Sequence, residues 1–330
     1  SQVKSLDANW YFIDRHPQQG YLLSDGKALF QLMGDGELLT INFENYDFLH
    51  YPQLSPDGKY LLFVKANIKG NLQSVDLASG QTKAITQSSM HNWQGSLSPQ
   101  GDKIAYVSNR NGHSQLFIYD RNSQKHQLVY ANNEQHLALS QPVWSPDGLK
   151  IASARNDHVF VLDVSSSEMQ VRHFDQWIGQ PKQWYHQQQA LLIGQKAVAQ
   201  NNWFKAELTT GVQKLLKTTP YSVALDGQDK LMQLTPEQIL GDDGQVLWQA
   251  SSTDQVRAYF PKSNGVYLLT QKSKDETGQY TVAFFDYQVN EITQLRQLTL
   301  GELTVSDISE SHLIGNDFDM EKDLVLMDID

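Results

Sequence analysis

With 10 histidines, 37 carboxylates and no cysteine, the chain has a narrow choice of chemistry. The missing cysteines exclude disulfides, thiolate nucleophiles and Cys-ligated zinc. The histidines are scattered at spacings unlike those of a metal-binding helix, and no His-Glu-x-x-His occurs. Asp242-Asp243-Gly244 and Asp317-Phe318-Asp319-Met320-Glu321 gather carboxylates that attract Ca²⁺, yet neither continues into the 12-residue EF-hand register, so both read as solvated turns. Gly34-Asp35-Gly36 reads as a hairpin turn and not a phosphate cradle, because neither a Lys-Ser/Thr pair nor a helix follows. No Gly-x-Ser-x-Gly pentapeptide is present, and no Ser-His-Asp arrangement stands out. The expectation is therefore no catalytic residues, no metal and no cofactor. What remains suits recognition: His50, His91, Trp93, Gln141, Gln180, Tyr221 and Arg257, each at or just before the start of a short strand-like run. Histidine, glutamine, tyrosine, tryptophan and arginine at converging loops bind polar or peptide ligands.

The elements that position these residues recur. Ser55-Pro56-Asp57-Gly58, Ser98-Pro99-Gln100-Gly101 and Ser145-Pro146-Asp147-Gly148 lie 43 and 47 residues apart. Proline presets φ at the first corner of such a turn, Asp bonds the backbone downstream, and Gly supplies a positive φ. After each turn the pattern predicts a second strand (59–65, 103–108, 150–154), a further turn, a third strand ending at or beside an Asp (72–77, 115–120, 158–163), and a fourth strand such as 81–86 or 125–130. Four short antiparallel strands per roughly 40 residues make one propeller blade.

Fainter copies follow, with strands over 190–195, 199–207 and 211–216, over 230–234 and 245–249, and over 266–271, 281–287 and 292–298. A last unit, 304–308, 312–316 and 323–328, is one strand short, and an abbreviated first unit occupies 9–41. The rhythm predicts one all-β domain over 1–330, a single β-propeller of eight four-stranded antiparallel blades, with seven as the alternative. Gln2–Leu6 is expected to close the ring beside Leu324–Met327. Trp144 and Trp184, at the reversal turns, are expected in the core between blades. Arg110, Arg155 and Arg257 are of a type that forks carboxylates, but such arginines more often pair with nearby aspartates on blade loops, and that is the expectation for them.

A formal net charge of -11 disfavours nucleic acid, whose phosphates need clustered Lys and Arg. The longest apolar runs are about five residues against the roughly 20 of a membrane-spanning helix, so no membrane segment is expected. A monomer is expected.

The repeats over 55–86 (SPDGKYLLFVKANIKGNLQSVDLASGQTKAIT) and 98–129 (SPQGDKIAYVSNRNGHSQLFIYDRNSQKHQLV) closely resemble the TolB-type propeller repeat, and the strong resemblance covers about residues 50–175. Such repeats occur in TolB, in the non-catalytic propellers of prolyl-oligopeptidase-like and tricorn-like proteases, and in the periplasmic sensor halves of CadC-like, membrane-anchored winged-helix regulators. TolB carries an α/β domain ahead of a six-bladed ring, whereas blade-like strands start here by residue 9. The resemblance thus implies a non-enzymatic ligand- or protein-binding propeller, foremost the sensor domain of a membrane-bound transcriptional regulator. That places it in a Gram-negative periplasm, tethered to the inner membrane by a segment preceding Ser1, with a small molecule or an envelope protein as partner. The alternatives are the gating propeller of a prolyl-oligopeptidase-like peptidase and a TolB-like interaction scaffold.

Overall fold

The computed structural model describes residues 11–15, 20–24, 29–41, 48–132, 138–156, 158–165, 170–273, 278–301 and 303–328. Every regular element among them is a strand, and every strand pairing given is antiparallel, as the short period-two runs require. No helix among the described residues is long and apolar enough to cross a membrane. The chain divides into two compact units, 70–317 and a smaller one made of 1–69 with 318–330.

Within 70–317, five sheets each hold four consecutive strands, called blades 1 to 5. Their first strands are Asn92–Leu97, Val143–Trp144, Gln180–Trp184, Ser222–Leu225 and Asp254–Pro261. The sixth blade is composite. Thr304–Ile308 pairs with the strand starting at His312, which neighbours the strand ending at Asp76, and Thr82–Ala84 pairs with the latter.

The second and third strands of blade 1, Lys103–Ser108 and Gln115–Asp120, are buried almost throughout instead of alternating. Each blade is covered on both faces, so both side-chain sets are apolar. Val107 and Leu116 meet Trp144 and Phe160 of blade 2, while Tyr106 and Phe117 on the other face meet Leu72 and Ile314 of the composite blade. The same sharing joins blades 2 and 3, 3 and 4, 4 and 5, and 5 with the composite blade. Six shared cores therefore close a ring on six blades, where the spacing over the whole chain predicts eight or seven. The shortfall has a local cause, because residues 11–69 belong to the smaller unit.

Two predicted turns are also absent. The strands expected at 59–65 and 72–77 are one strand, Tyr60–Asp76, and those expected at 312–316 and 323–328 are one strand, His312–Asp328. Gly70, which lies inside the long strand, has no positive φ. Its missing side chain permits close approach instead, since a Cβ there would lie 2.7 Å from the His91 ring and 3.1 Å from the Asp317 carbonyl. The strand beside the start of His312–Asp328 is thus internal to the sequence, and Gln2–Leu6 lies outside the described residues.

The smaller unit holds a four-stranded meander, Tyr11–Arg15, Tyr21–Ser24, Leu29–Leu32 and Leu38–Ile41, together with Phe48–Leu54 paired to 61–66. Gly34-Asp35-Gly36 makes the expected hairpin turn, with Glu37 N donating to Asp35 Oδ1 at 3.0 Å.

The reversal turns work as their residue types demand. Ser145 Oγ donates to Asp147 Oδ1 at 2.6 Å and accepts from Lys150 N at 2.9 Å, while Leu149 N donates to the same Asp147 oxygen. Ser55 and Asp57 repeat this geometry. In the middle copy Gln100 replaces the aspartate, so Asp102 takes the Ser98 hydroxyl, and Gln100 Nε2 reaches across to Asp147 O at 3.3 Å. The aspartates ending third strands cap the next turn: Ser79, Ser123 and Ser165 each donate N–H and hydroxyl to Asp76, Asp120 and Asp163.

Gly148 has φ of 75° and a Cβ there would sit 2.5 Å from Gln100 Oε1. Gly148→Val is expected to destabilise by at least roughly 1–2 kcal/mol, the cost of forcing a β-branched residue into the left-handed region. Denaturant unfolding against Gly34→Ala, at a glycine with open space around it and no positive φ, measures this.

The capped aspartates also set an acid response. Hydrogen bonds from Ser79, Ser123, Ser165 and Ser55 hold Asp76, Asp120, Asp163 and Asp57 below the usual carboxylate value, and at Asp147 partial desolvation acts upward but is outweighed by Ser145 and Leu149. A carboxylate with a depressed folded pKa contributes stability that is present above its unfolded pKa and lost as pH falls through the folded one. Melting temperature is therefore expected to hold down to about pH 4 and to fall below it, less steeply in Asp120→Asn/Asp163→Asn.

Candidate functional site: the funnel of the six-bladed unit

The first strand of each blade hydrogen-bonds on one side only, so six free strand edges surround a central space. That space is a funnel of about 720 Å³, lined from all six first strands by residues such as Ser96, Val143, Lys182, Ser222, Arg257 and Ser306. Reversal-turn residues also line it, among them Gln100, Pro146, His186, Asp226, Asn264 and Glu310.

A free strand edge leaves backbone groups that need partners, and side chains of the neighbouring blades supply them. Trp144 Nε1 in blade 2 donates to Ser96 O of blade 1 at 3.0 Å, and Trp184 Nε1 in blade 3 donates to Val143 O of blade 2 at 2.9 Å. Both indoles are buried, as expected of them. Gln183 of blade 3 clamps Leu225 of blade 4, donating to its carbonyl at 2.9 Å and accepting from its N–H at 2.8 Å. Between blades 4 and 5, the Tyr259 hydroxyl donates to Thr235 O, and burial pushes its pKa up.

Asp307 completes the circle at the composite blade. Its buried carboxylate accepts from Lys262 Nζ of blade 5 at 2.6 Å and from Leu97 N of blade 1 at 2.8 Å. Gln141 reaches past blade 1, its Nε2 donating to Ser306 O at 2.8 Å. Gly95 leaves room there, because a Cβ at that position would lie 3.4 Å from Ser306 Oγ and 2.7 Å from Ile314.

Four first strands carry a bulge: in blade 1 the pairing register passes over Gln94 and Gly95, and in three others it skips one residue, Lys182 in blade 3, Arg257 in blade 5 and Ser306 in the composite blade. A bulged residue escapes the in-out alternation of its strand, and the latter three line the funnel. Lys182 Nζ donates to Gln180 Oε1 at 3.2 Å, and Arg257 Nε donates to Gln271 Oε1 at 3.0 Å. Solvent reaches Lys182 along the channel, yet protein walls it closely, and this loss of bulk water pushes its pKa below the ordinary lysine value.

Of the residues singled out from sequence, Gln141 and Arg257 line the funnel. Gln180 acts through Lys182, and Tyr221 lies half-exposed next to the lining residue Ser222. His91 and Trp93 stack on each other, with ring centroids 4.3 Å apart, and Trp93 packs against the core shared by blades 1 and 2; neither is among the lining residues. His50 belongs to the smaller unit, opposite Val64 in its strand pairing. Arg110 is taken up locally, its guanidinium 4.3 Å from the Phe117 ring centroid and bonded to Ser108, Asn92 and the Tyr106 hydroxyl, so its partners are not the expected aspartates. Sequence reasoning places 179–183 at the channel without singling out Lys182 or Gln183, and it passes over Lys262 and Asp307.

Asp307→Leu leaves Leu97 N and the Lys262 ammonium without their acceptor, and is expected to cost about 2–4 kcal/mol. Asp307→Asn, which can still accept from Leu97 N, is expected to cost about half as much. Paired chemical denaturation of the two variants checks the ordering.

A family model described as TolB beta propeller domain matches residues 39–176. The Tol-Pal system protein TolB of Francisella tularensis subsp. tularensis (strain WY96-3418) is 27% identical over 99 residues, 29% of this chain. The match spans 22% of that relative's length. Among solved structures, the putative TolB from Agrobacterium tumefaciens superposes with a TM-score of 0.54 at 10% identity, over 76% of this chain and 99% of that one, which is a likeness of fold. The acylaminoacyl peptidase of Pyrococcus horikoshii is a looser match, with a TM-score of 0.46 and 13% identity over 81% of this chain and 49% of that one, and bears on neither fold nor function. The repeat pattern, the blades and these matches agree on a β-propeller fold similar to the TolB type, with the family match confined to residues 39–176.

Proposed function

We propose that this propeller is a non-enzymatic recognition module of the TolB-like scaffold kind, working in the periplasm, with its partner seated in the funnel. The observation that carries the reading is the funnel itself. All six first strands converge on it, and what they present there is amides, hydroxyls, two tryptophan rims and a few cations. Its carboxylates are largely committed to the fold, Asp307 to Lys262 and Leu97, Asp226 to the N–H groups of Gln228 and Lys230, and Asp229 to His186 N. A Ser-His contact does exist beside the funnel, from the lining residue Ser311 Oγ to His312 Nδ1 at 2.8 Å, but the other ring nitrogen lies 2.7 Å from Arg121 Nη2. Desolvation first and then that cation, outweighing Asp76, keep the His312 pKa low, a poor setting for a general base. Recognition of an envelope protein is the form in which a TolB-type propeller would use this funnel, and the sensor half of a membrane-bound regulator is the more specific version, resting on the repeat resemblance.

A photo-crosslinking residue at Glu310, on the funnel rim, is expected to trap a discrete partner from envelope extract, whereas one at the exposed Val198 is not. Ser222→Trp, which fills the funnel, should remove that adduct. Equal adducts from both positions, survival of the adduct in Ser222→Trp, or hydrolysis of a fluorogenic peptide by the purified chain would overturn the reading.

A further inference from the structure

The funnel holds three cations, and they are not equivalent. Lys262 is neutralised by Asp307 at 2.6 Å. Lys182 and Arg257 have no carboxylate within ion-pair distance among the described residues, and each is bonded to one glutamine amide. A lysine needs three acceptors and an arginine five to use all its N–H groups. Gln180 and Gln271 therefore orient the two heads without exhausting them. Both side chains are at bulges, which take them out of strand pairing and into one cavity. This happens in a chain whose formal net charge is -11, where uncompensated positive groups are the exception.

We infer that Lys182 and Arg257 form an anion subsite in the funnel that takes a carboxylate-bearing ligand. The inference rests on the funnel being the recognition site and adds the chemistry of what it recognises. Arg257 offers its two Nη groups as a fork for both carboxylate oxygens, and Lys182 offers a point charge. Lys182 is open to solvent through the channel, and the protein around it pushes its pKa below the ordinary lysine value, a shift that an incoming anion opposes. Of the four carboxylates that line the funnel, Asp307 holds Lys262, Asp226 and Asp229 accept from backbone N–H groups, and Glu310 makes no ion pair to Lys182 or Arg257. A carboxylate reaches the funnel from two sources, acidic side chains of a peptide or a small organic acid.

Calorimetric titration with tri-glutamate peptide, citrate and tri-lysine peptide at low salt separates these. Binding of tri-glutamate alone identifies the peptide source, binding of citrate alone the small acid, and binding of both a site that reads the carboxylate itself. In each case Lys182→Gln or Arg257→Gln is expected to weaken binding about 10- to 100-fold, the loss of one hydrogen bond to a charged group. Lys182→Arg should retain most of the affinity, and Lys214→Gln, on the exposed outer strand of blade 3, should change nothing. Affinity should also fall as pH rises, sooner than an ordinary lysine would dictate. Failure of both acids to bind, equal binding by the Lys182→Gln and Arg257→Gln variants, or preference for tri-lysine overturns the anion subsite. A crosslink from Glu310 that persists alongside such a result would leave the funnel as a recognition site for a ligand of other chemistry.

Discussion

Six strand edges face one another across the funnel with no strand between them to pair with, and the rest of the six-bladed unit is arranged around this constraint. An unmet backbone group in a partly buried place costs on the order of 1–3 kcal/mol, so six bare edges would be a heavy burden for a domain. The chain meets it with side chains that cross from one blade to the next: the indoles of Trp144 and Trp184, the amide of Gln183, and the carboxylate of Asp307. Each does two things at once. It satisfies a carbonyl or N–H of the neighbouring first strand, and it fixes the spacing at which the apolar faces of two blades meet. Shared cores alone are non-directional; these bonds give four of the six interfaces a fixed register.

The composite blade shows the same economy at larger scale. Its strands come from opposite ends of the 70–317 segment, and the bonds between them join residues far apart in sequence, Asn71 N to Asp317 Oδ1 at 2.8 Å and Gln73 Nε2 to Asp317 Oδ2 at 2.7 Å. Nothing covalent closes the ring, since the chain has no cysteine. Closure depends on this ladder, on Leu72 and Ile314 in the core shared with blade 1, and on Val75 and Leu313 in the core shared with blade 5. Loop-closure entropy grows only slowly with length, which makes a fastening over some 240 residues affordable once both neighbouring blades are formed.

Local chemistry was legible and pairing across distance was not. Lys103–Ser108, Gln115–Asp120, Lys125–Tyr130 and His158–Asp163 fall where the turn residues and apolar runs put them, because those signals act within a few residues. The short strand Gln238–Leu240 was missed, as three residues carry no period. The turn expected between 65 and 72 is absent for a physical reason: Gly70 there allows a close approach instead of a reversal, and glycines serving the two purposes look alike in sequence. Counting repeats over 330 residues likewise could not tell that the first repeats belong to a second unit, for a boundary inside the strand Tyr60–Asp76 leaves no linker composition behind.

The funnel was hardest to read because its specificity is made by exceptions to the strand pattern. A regular first strand would send alternate side chains to its two neighbouring blades and offer the channel little but backbone. A bulge adds one residue that obeys neither face, and the residue type placed there then decides what the channel presents: lysine in blade 3, arginine in blade 5, serine in the composite blade. Blade 4 lacks such a skip between Ser222 and Leu225, and its first strand contributes the small Ser222 and Val223 to the wall. Sequence alone cannot show which residue of Gln180–Trp184 is the extra one, since that depends on which of its neighbours find partners in Ala190–Lys196. The same scaffold of interblade bonds can therefore stay constant while the bulged positions vary, which separates what holds the ring together from what the ring can bind.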